Sequence, residues 1–441
     1  MRLVVAALAA SLLPLLAAAA DWNDLLRQGV DAAERELKRR QEQQAKEKDK
    51  PAATKEPAPS ATQEQPVPPS SAAPSAGELQ LPLRRVPLVA GELGMNIIVE
   101  VDGTVKSWGE PQGDGSYLGD GTSGSRKRPA ELPGVSGIVD AAVGPGHTLL
   151  LVRDGTVLTW GRNRSCELTV KDDRKRLTPF QVPNVRNAVQ VAASYLFSAA
   201  VLRDGRVMVW GSNASGFFAN GKAERECALL PVLVEGLSGV KRIAISNSVI
   251  VLKEDGTVWG WGPNRNGELC DGTTEKRYRP VQMKGIADAV DIDIEPNASA
   301  VVLADGTVWR CGINTYSEMA KKADPESVKY TTPQRIPGVT TAVAIRAGSA
   351  AMVRLKDGTL LGWGSGIFGA LGNGHIEGGS SKPTPPSGLG PVLEQFWASN
   401  SAYAIRADGM MMAWAFYIGD EGGGKEWQLT PRPWRQMKLA D

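Results

Sequence analysis

The chain has 441 residues, with 50 Lys and Arg against 48 Asp and Glu, giving a formal charge of +2. That balance argues against a general binder of nucleic acid or anionic membrane, which needs a marked cationic excess. Only two histidines and four cysteines are present, with no Cys-x-x-Cys, so a zinc or dithiol centre has little material to draw on.

Residues 1–20 read as a secretory signal peptide. Arg2 gives a positive start, Leu3 to Leu16 is apolar, and Ala17 to Ala20 offers a small-residue cleavage site before Asp21. A membrane anchor is the competing reading, because about 18 apolar residues is the lower limit for a span. Pro14 and the small-residue end favour cleavage and no stable membrane insertion afterwards, and no Cys follows that could carry a lipid. The alanine-rich style points to a Gram-negative bacterium and to a periplasmic or secreted mature protein. Residues 21–50 predict a polar, amphipathic helix whose apolar stripe of Trp22, Leu25, Leu26, Val30, Ala33 and Leu37 fades towards its end. Residues 51–78 are rich in Pro, Ala and Ser and predict a disordered linker.

From residue 79 to residue 441 the chain repeats itself. Asp-Gly pairs begin at Asp102, Asp154, Asp204, Asp255, Asp305, Asp357 and Asp408, in steps of 52, 50, 51, 50, 52 and 51 residues. Three residues after each Asp stands an apolar side chain: Val105, Val157, Val207, Val258, Val308, Leu360 or Met411. Six residues after it stands Trp108, Trp160, Trp210, Trp261, Cys311, Trp363 or Trp414, followed by Gly or, once, Ala415. Those offsets have the parity of a strand, so the two positions fall on opposite faces. Asp-Gly between apolar runs predicts a hairpin with a type I′ turn. A Gly/Asn-rich loop follows, then Pro with an apolar run, as in Pro129 to Leu132 or Pro280 to Met283. A further apolar run leads into the next hairpin. Four strands per period, seven times over, predict an all-β, seven-bladed β-propeller of about 51-residue repeats. Pro82 to Val89 and the tail from Thr430 have the character of a unit's last strand, so both termini are expected to complete one blade as a clasp.

The repeat resembles the regulator of chromosome condensation family. The resemblance rests on Asp-Gly-x-Val-x-x-Trp-Gly, on the Asn-x-x-Gly-Glu-Leu of Asn264 to Leu269, and on the later Pro-x-x-Val. Kelch repeats have a similar period but need a Gly-Gly pair before the aromatic, which this chain lacks. The resemblance implies a protein that binds partner proteins on its propeller faces. Some members are guanine nucleotide exchange factors and some secreted bacterial relatives inhibit β-lactamases; no motif here carries either activity across residue by residue.

No catalytic, cofactor or metal site is expected, and the protein is read as a non-enzymatic monomer. His147 is read as a packing remnant of the repeat, and His375 lies in a Gly-rich loop without an evident partner. The seven Asp of the turns serve the turns themselves. Cys166 and Cys270 take slots that other units give to Gly216, Gly267 and Gly372, while Cys311 takes a Trp slot; packing or a structural bridge is expected, with three pairings open for Cys166, Cys227, Cys270 and Cys311. One surface feature stands out. Arg126, Lys127 and Arg128, Arg174, Lys175 and Arg176, and Lys276, Arg277 and Arg279 precede the Pro strands at one phase of the repeat, as does Lys321-Lys322. They are the candidate loops for an acidic protein partner, diluted by Asp172, Asp173 and Glu275. A cell-wall carbohydrate-binding protein or enzyme is the alternative of another class, with Tyr117, Phe217, Phe218 and Phe368 as stacking candidates.

Overall fold

The computed structural model describes residues 79–434, except 93, 111–117, 173, 225–226, 314–327, 349, 367–368, 376–378, 399–400 and 419–424. The expected signal peptide, helix and linker lie outside the described residues. So do Tyr117, Asp173, Lys321, Lys322 and Phe368.

The described residues form seven consecutive four-stranded antiparallel units, here called blades 1 to 7, spanning 88–131, 138–181, 188–233, 240–282, 289–335, 342–384 and 392–433. Chain order is also spatial order. In blade 2 the strands run from Ile138–Val143 at one side through His147–Val152 and Val157–Gly161 to Arg176–Gln181 at the other. The first strand of each blade is the inner one and lines the ring; the fourth is the outer edge. Five blades are separate sheets, whereas blades 1 and 7 are joined through a single parallel pair, Gly91 with Ala398.

That arrangement corrects the expected clasp. The tail strand Lys425–Pro433 stays in its own blade, paired to Met411–Ile418, and among the described residues the leading segment supplies no strand to blade 7. The ring closes by side-chain packing instead, because Trp434 sits among Val89, Ile98 and Trp108 of blade 1 and Tyr403, Ile405 and Met411 of blade 7. Residues 79–86 run across the ring rather than along it. Leu81 donates its amide to the Arg153 carbonyl, and Leu81 and Leu83 pack on the core between blades 2 and 3.

The cores lie between blades. Trp160 packs with Met95, Ile97 and Leu118 of blade 1, while Val157, three residues earlier, packs with Ala188, Val191 and Trp210 of blade 3. The opposite faces read from the repeat are therefore the faces that meet the preceding and following blades. The indoles of Trp210, Trp261 and Trp414 also donate to the Glu167, Phe217 and Ala370 carbonyls of the preceding blade.

The Asp-Gly turns depart from the type I′ expectation. Only the glycines take positive φ, such as +80° at Gly155, and the aspartates do not. In each turn the Gly amide bonds the carbonyl three residues back, as Gly155 does to Val152, and Val152 in turn bonds the Thr156 carbonyl. This is a three-residue loop with a glycine bulge. The Asp carboxylate accepts the amide two residues on, as Asp154 does from Thr156 at 2.8 Å. Glycine is required twice over, since a Cβ on Gly155 would lie 2.8 Å from the Cα of Asn187, the residue that leads into blade 3. The same glycine's carbonyl accepts the Ala188 amide, and the turns of blades 1 to 6 all tie their blade to the next in this way.

The outer strands begin earlier than the sequence suggests and place Pro inside them, as in Arg126–Glu131 and Arg277–Gln282. Pro is tolerated there because an edge strand needs no second ladder.

Candidate protein-binding rim

Antiparallel order puts the Asp-Gly turns on one face of the ring, the turn face. The inner turns and the long loops between third and outer strands share the other, the loop face. The nine candidate cations fall at the loop-face ends of the outer strands of blades 1, 2 and 4. The structure thus brings them to one rim, with blade 3 between the second and third clusters.

Within each cluster one arginine is held internally. Arg126 pairs with Asp120, Arg176 bonds Asp172 at 3.1 Å, and Arg277 pairs with Asp271. Asp271 shows why: it is buried, and its carboxylate also accepts the amide and hydroxyl of Thr273. Burial opposes its charge, but the Thr273 and Arg277 hydrogen bonds outweigh it and hold the carboxyl below its ordinary range. These three arginines fasten the loops. Lys127, Arg128, Arg174, Lys175, Lys276 and Arg279 are the exposed members, and Arg279 reaches across to Gly221 of blade 3.

The remaining candidates resolve into structure. His147 is fully buried, with Nε2 2.7 Å from Ser198 Oγ of blade 3. Burial, with Arg162 nearby, pushes its pKa down to about 3, so the imidazole is neutral. Its Nδ1 has no hydrogen-bond partner among the described residues, so no triad is assembled. His375 is exposed, and its amide bonds Asn373. Phe217 and Phe218 are buried, and Phe217 stacks on Phe197 at 4.7 Å, which removes both from any sugar-stacking role. The motif glutamates are buried loop fasteners: Glu167 accepts the Ser165 amide and Glu268 the Asn266 amide, and burial raises both carboxyls. Among the described residues no group of three or more His, Cys, Asp or Glu converges as a metal site would require.

The cysteines form two bridges, Cys166–Cys227 and Cys270–Cys311, joining blade 2 to blade 3 and blade 4 to blade 5. Cys166 and Cys270 hold φ of 60° and 55°, the left-handed region that glycine favours. Both therefore occupy glycine slots in conformation as well as in register.

Sequence reading overlooked the channel wall. Asp140, Gln190, Arg242, Asp291, Asp293, Arg346 and Glu394 stand on inner strands. Asp140 accepts the Val191 amide, Asp291 the Ile345 amide and Asp293 the Ala347 amide, each across a blade boundary. Arg242 and Arg346 bridge to Asp291 at 2.9 and 3.1 Å. At the loop face the channel opens into a cavity of about 640 Å³ with residues from all seven blades in its wall. The signal was present as polar residues alternating with apolar ones in runs such as Ala289–Glu295. It was masked by the strong apolar character of those runs.

A ring of four-stranded antiparallel blades with the long loops gathered on one face defines a β-propeller. The chain belongs to the RCC1-like domain family, whose profile matches residues 83–404. It is 28% identical over 285 residues to the E3 ubiquitin-protein ligase HERC2 of Mus musculus, a match covering 62% of this chain and 5% of that protein. It is 25% identical to the ultraviolet-B receptor UVR8 of Arabidopsis thaliana, over 69% of this chain and 74% of the receptor. Among solved structures it resembles Prp20p of Saccharomyces cerevisiae, a protein with binding properties towards Gsp1p and histones. That match has a TM-score of 0.63 and 20% identity, and covers 79% of this chain and 87% of Prp20p.

Proposed function

We propose that the mature chain is a secreted or periplasmic, non-enzymatic scaffold that holds an acidic partner protein against the loop face. The observation that carries this reading is the cationic rim: in blades 1, 2 and 4 one arginine fastens each loop while its neighbours are exposed on the same face. Prp20p, with the same fold, binds proteins. Two inter-blade disulfides that together use all four cysteines support an oxidising compartment. Exchange-factor and enzyme-inhibitor activities are particular forms of the same reading and await a partner.

The test is affinity capture by the chain from residue 21 against an envelope extract, at low and high salt. A control carries Lys127→Glu, Arg174→Glu and Lys276→Glu, which leave the fastening arginines intact. A stoichiometric partner lost in the control supports the scaffold. Absence of any partner at every salt concentration removes it.

A further inference from the structure

The outer strand of blade 3, Cys227–Leu233, breaks the pattern of its neighbours. The residue before the strand's Pro is polar in the other six blades, Arg128, Thr178, Arg279, Thr332, Lys382 and Thr430, but is Leu230 in blade 3. The strand reads Cys-Ala-Leu-Leu-Pro-Val-Leu and carries no charge. Leu229, Leu230, Val232 and Leu233 are 37%, 51%, 38% and 41% exposed. They account for four of the nine large apolar side chains exposed among the described residues, so the patch is concentrated on one edge rather than scattered.

An uncharged, apolar edge strand is a liability that proteins ordinarily blunt with charge. Here it is fixed in place. Pairing to the third strand runs from Ser212 with Cys227 to Met208 with Leu233, and the Cys166–Cys227 bridge ties its start to blade 2. A rigid apolar edge loses little freedom when it is covered.

We propose that this edge is the anchoring surface for the scaffold's partner, and that its occupant is an extended segment of that partner with apolar side chains at its centre and Asp or Glu at its ends. Blade 3 itself carries the Lys222–Glu224 pair and exposed Glu235 beside the strand, so the cations of the two adjacent blades set the ends. Arg174 is exposed in blade 2, and Lys276 and Arg279 are exposed in blade 4. The two blades contact blade 3 directly, through the disulfide on one side and the Gly221 amide bonded to the Tyr278 carbonyl on the other. Pro231 has no amide hydrogen to offer, so side chains rather than a long main-chain ladder carry the contact.

This inference rests on the scaffold reading and names the partner's chemistry. The test is selection of a random 16-residue peptide display library on the full chain with its disulfides formed. Enriched peptides are then measured by fluorescence polarisation against the wild type, Leu230→Asp, Leu229→Ser with Leu230→Ser, and Lys276→Glu with Arg279→Glu. Enriched sequences should carry an apolar centre with acidic flanks. Their affinity should drop about tenfold or more in both leucine variants, and by several-fold on charge reversal or in high salt. Unchanged melting of the leucine variants, whose altered side chains are exposed, separates lost binding from lost fold. Enriched sequences without that pattern, affinity indifferent to Leu230, or no enrichment overturns the proposal. A captured partner that binds Leu230→Asp normally but fails on the charge-reversed rim sinks this inference while leaving the scaffold standing.

Discussion

The indole of Trp108 in blade 1 meets that of Trp434, just past the last strand of blade 7, with ring centroids 5.1 Å apart and planes tilted by 34°. Tyr403 completes the joint edge-on at 6.0 Å from Trp434. Every other blade boundary is crossed by continuous chain, whereas this one depends on side-chain packing and a single parallel backbone pair.

Trp434→Ala should therefore cost about 3–5 kcal/mol, as large-to-small changes of buried aromatics do. The loss should exceed that from trimming an exposed residue such as Met410, 41% exposed. Urea unfolding followed by tryptophan fluorescence measures both. A Trp434→Ala midpoint equal to that of the wild type would show that the ring closes elsewhere.

At two blade boundaries a glycine lies under the tryptophan of the next blade, Gly119 under Trp160 and Gly372 under Trp414. A Cβ on Gly372 would lie 3.0 Å from the Trp414 indole nitrogen, so glycine makes room for the ring of the next blade. At the blade 4–5 boundary both partners change together, and Cys270 bonds Cys311 instead. Replacing both cysteines by Ala should cost about 2–4 kcal/mol. Cys270→Gly with Cys311→Trp should recover much of that loss and make this boundary indifferent to reductant. Thermal melts with and without dithiothreitol would decide, and a Gly/Trp variant no better than the Ala pair counts against the equivalence.

Adjacent cations on the rim should behave differently. Arg277→Ala leaves the buried Asp271 short of a partner and should destabilise by about 1–3 kcal/mol, the penalty of a buried polar group unpaired. Lys276→Ala should be neutral within about 0.5 kcal/mol. Equal melting temperatures for the two variants would mean that Arg277 does not fasten its loop.

Acid should weaken the Asp-Gly turns. Hydrogen bonds from the Thr two residues on hold the Asp255 and Asp305 carboxyls below their ordinary value of 3.8. A depressed carboxyl gives stability that is present above the unfolded value and is lost as pH falls through the folded one. Asp255→Asn with Asp305→Asn should flatten that part of the profile below about pH 4. Asp140 has the opposite sign: burial raises its carboxyl despite the Val191 amide, Arg84 and Arg242, so its charged form costs stability once pH rises past the unfolded value. Asp140→Asn should then stabilise at neutral pH. Urea midpoints from pH 3 to pH 7 test both signs.

His147 should give no titrating imidazole signal in NMR spectra between pH 5 and 8, because its pKa lies at about 3. A titration inside that range would mean that the ring reaches solvent or gains an acidic partner.

Much of the architecture was legible because it is periodic. Val157 and Trp160 declare opposite faces by their offset alone, and the structure sends them to blades 3 and 1. The Asp-Gly pairs marked each turn but not its type, since loop length and hydrogen-bond partners separate a bulged three-residue loop from a two-residue one. The cysteine slots were visible as departures from the repeat. Their pairing was not, because it depends on which loop of one blade faces which strand of the next.

The sequence by itself determined the number of units, the faces of each strand and the phase at which cations recur, since each follows from local spacing and strand parity. Only the tertiary structure decided that the ring closes through Trp108 and Trp434 without a clasp. It alone separated the arginines that fasten loops from the cations left exposed, set the inner-strand charges along the channel, and left Leu229, Leu230, Val232 and Leu233 on an open edge between two cationic blades. The ring joint and the channel charges depend on contacts between residues about fifty positions or more apart, and the free energy of such a contact exists only once the chain has brought its partners together.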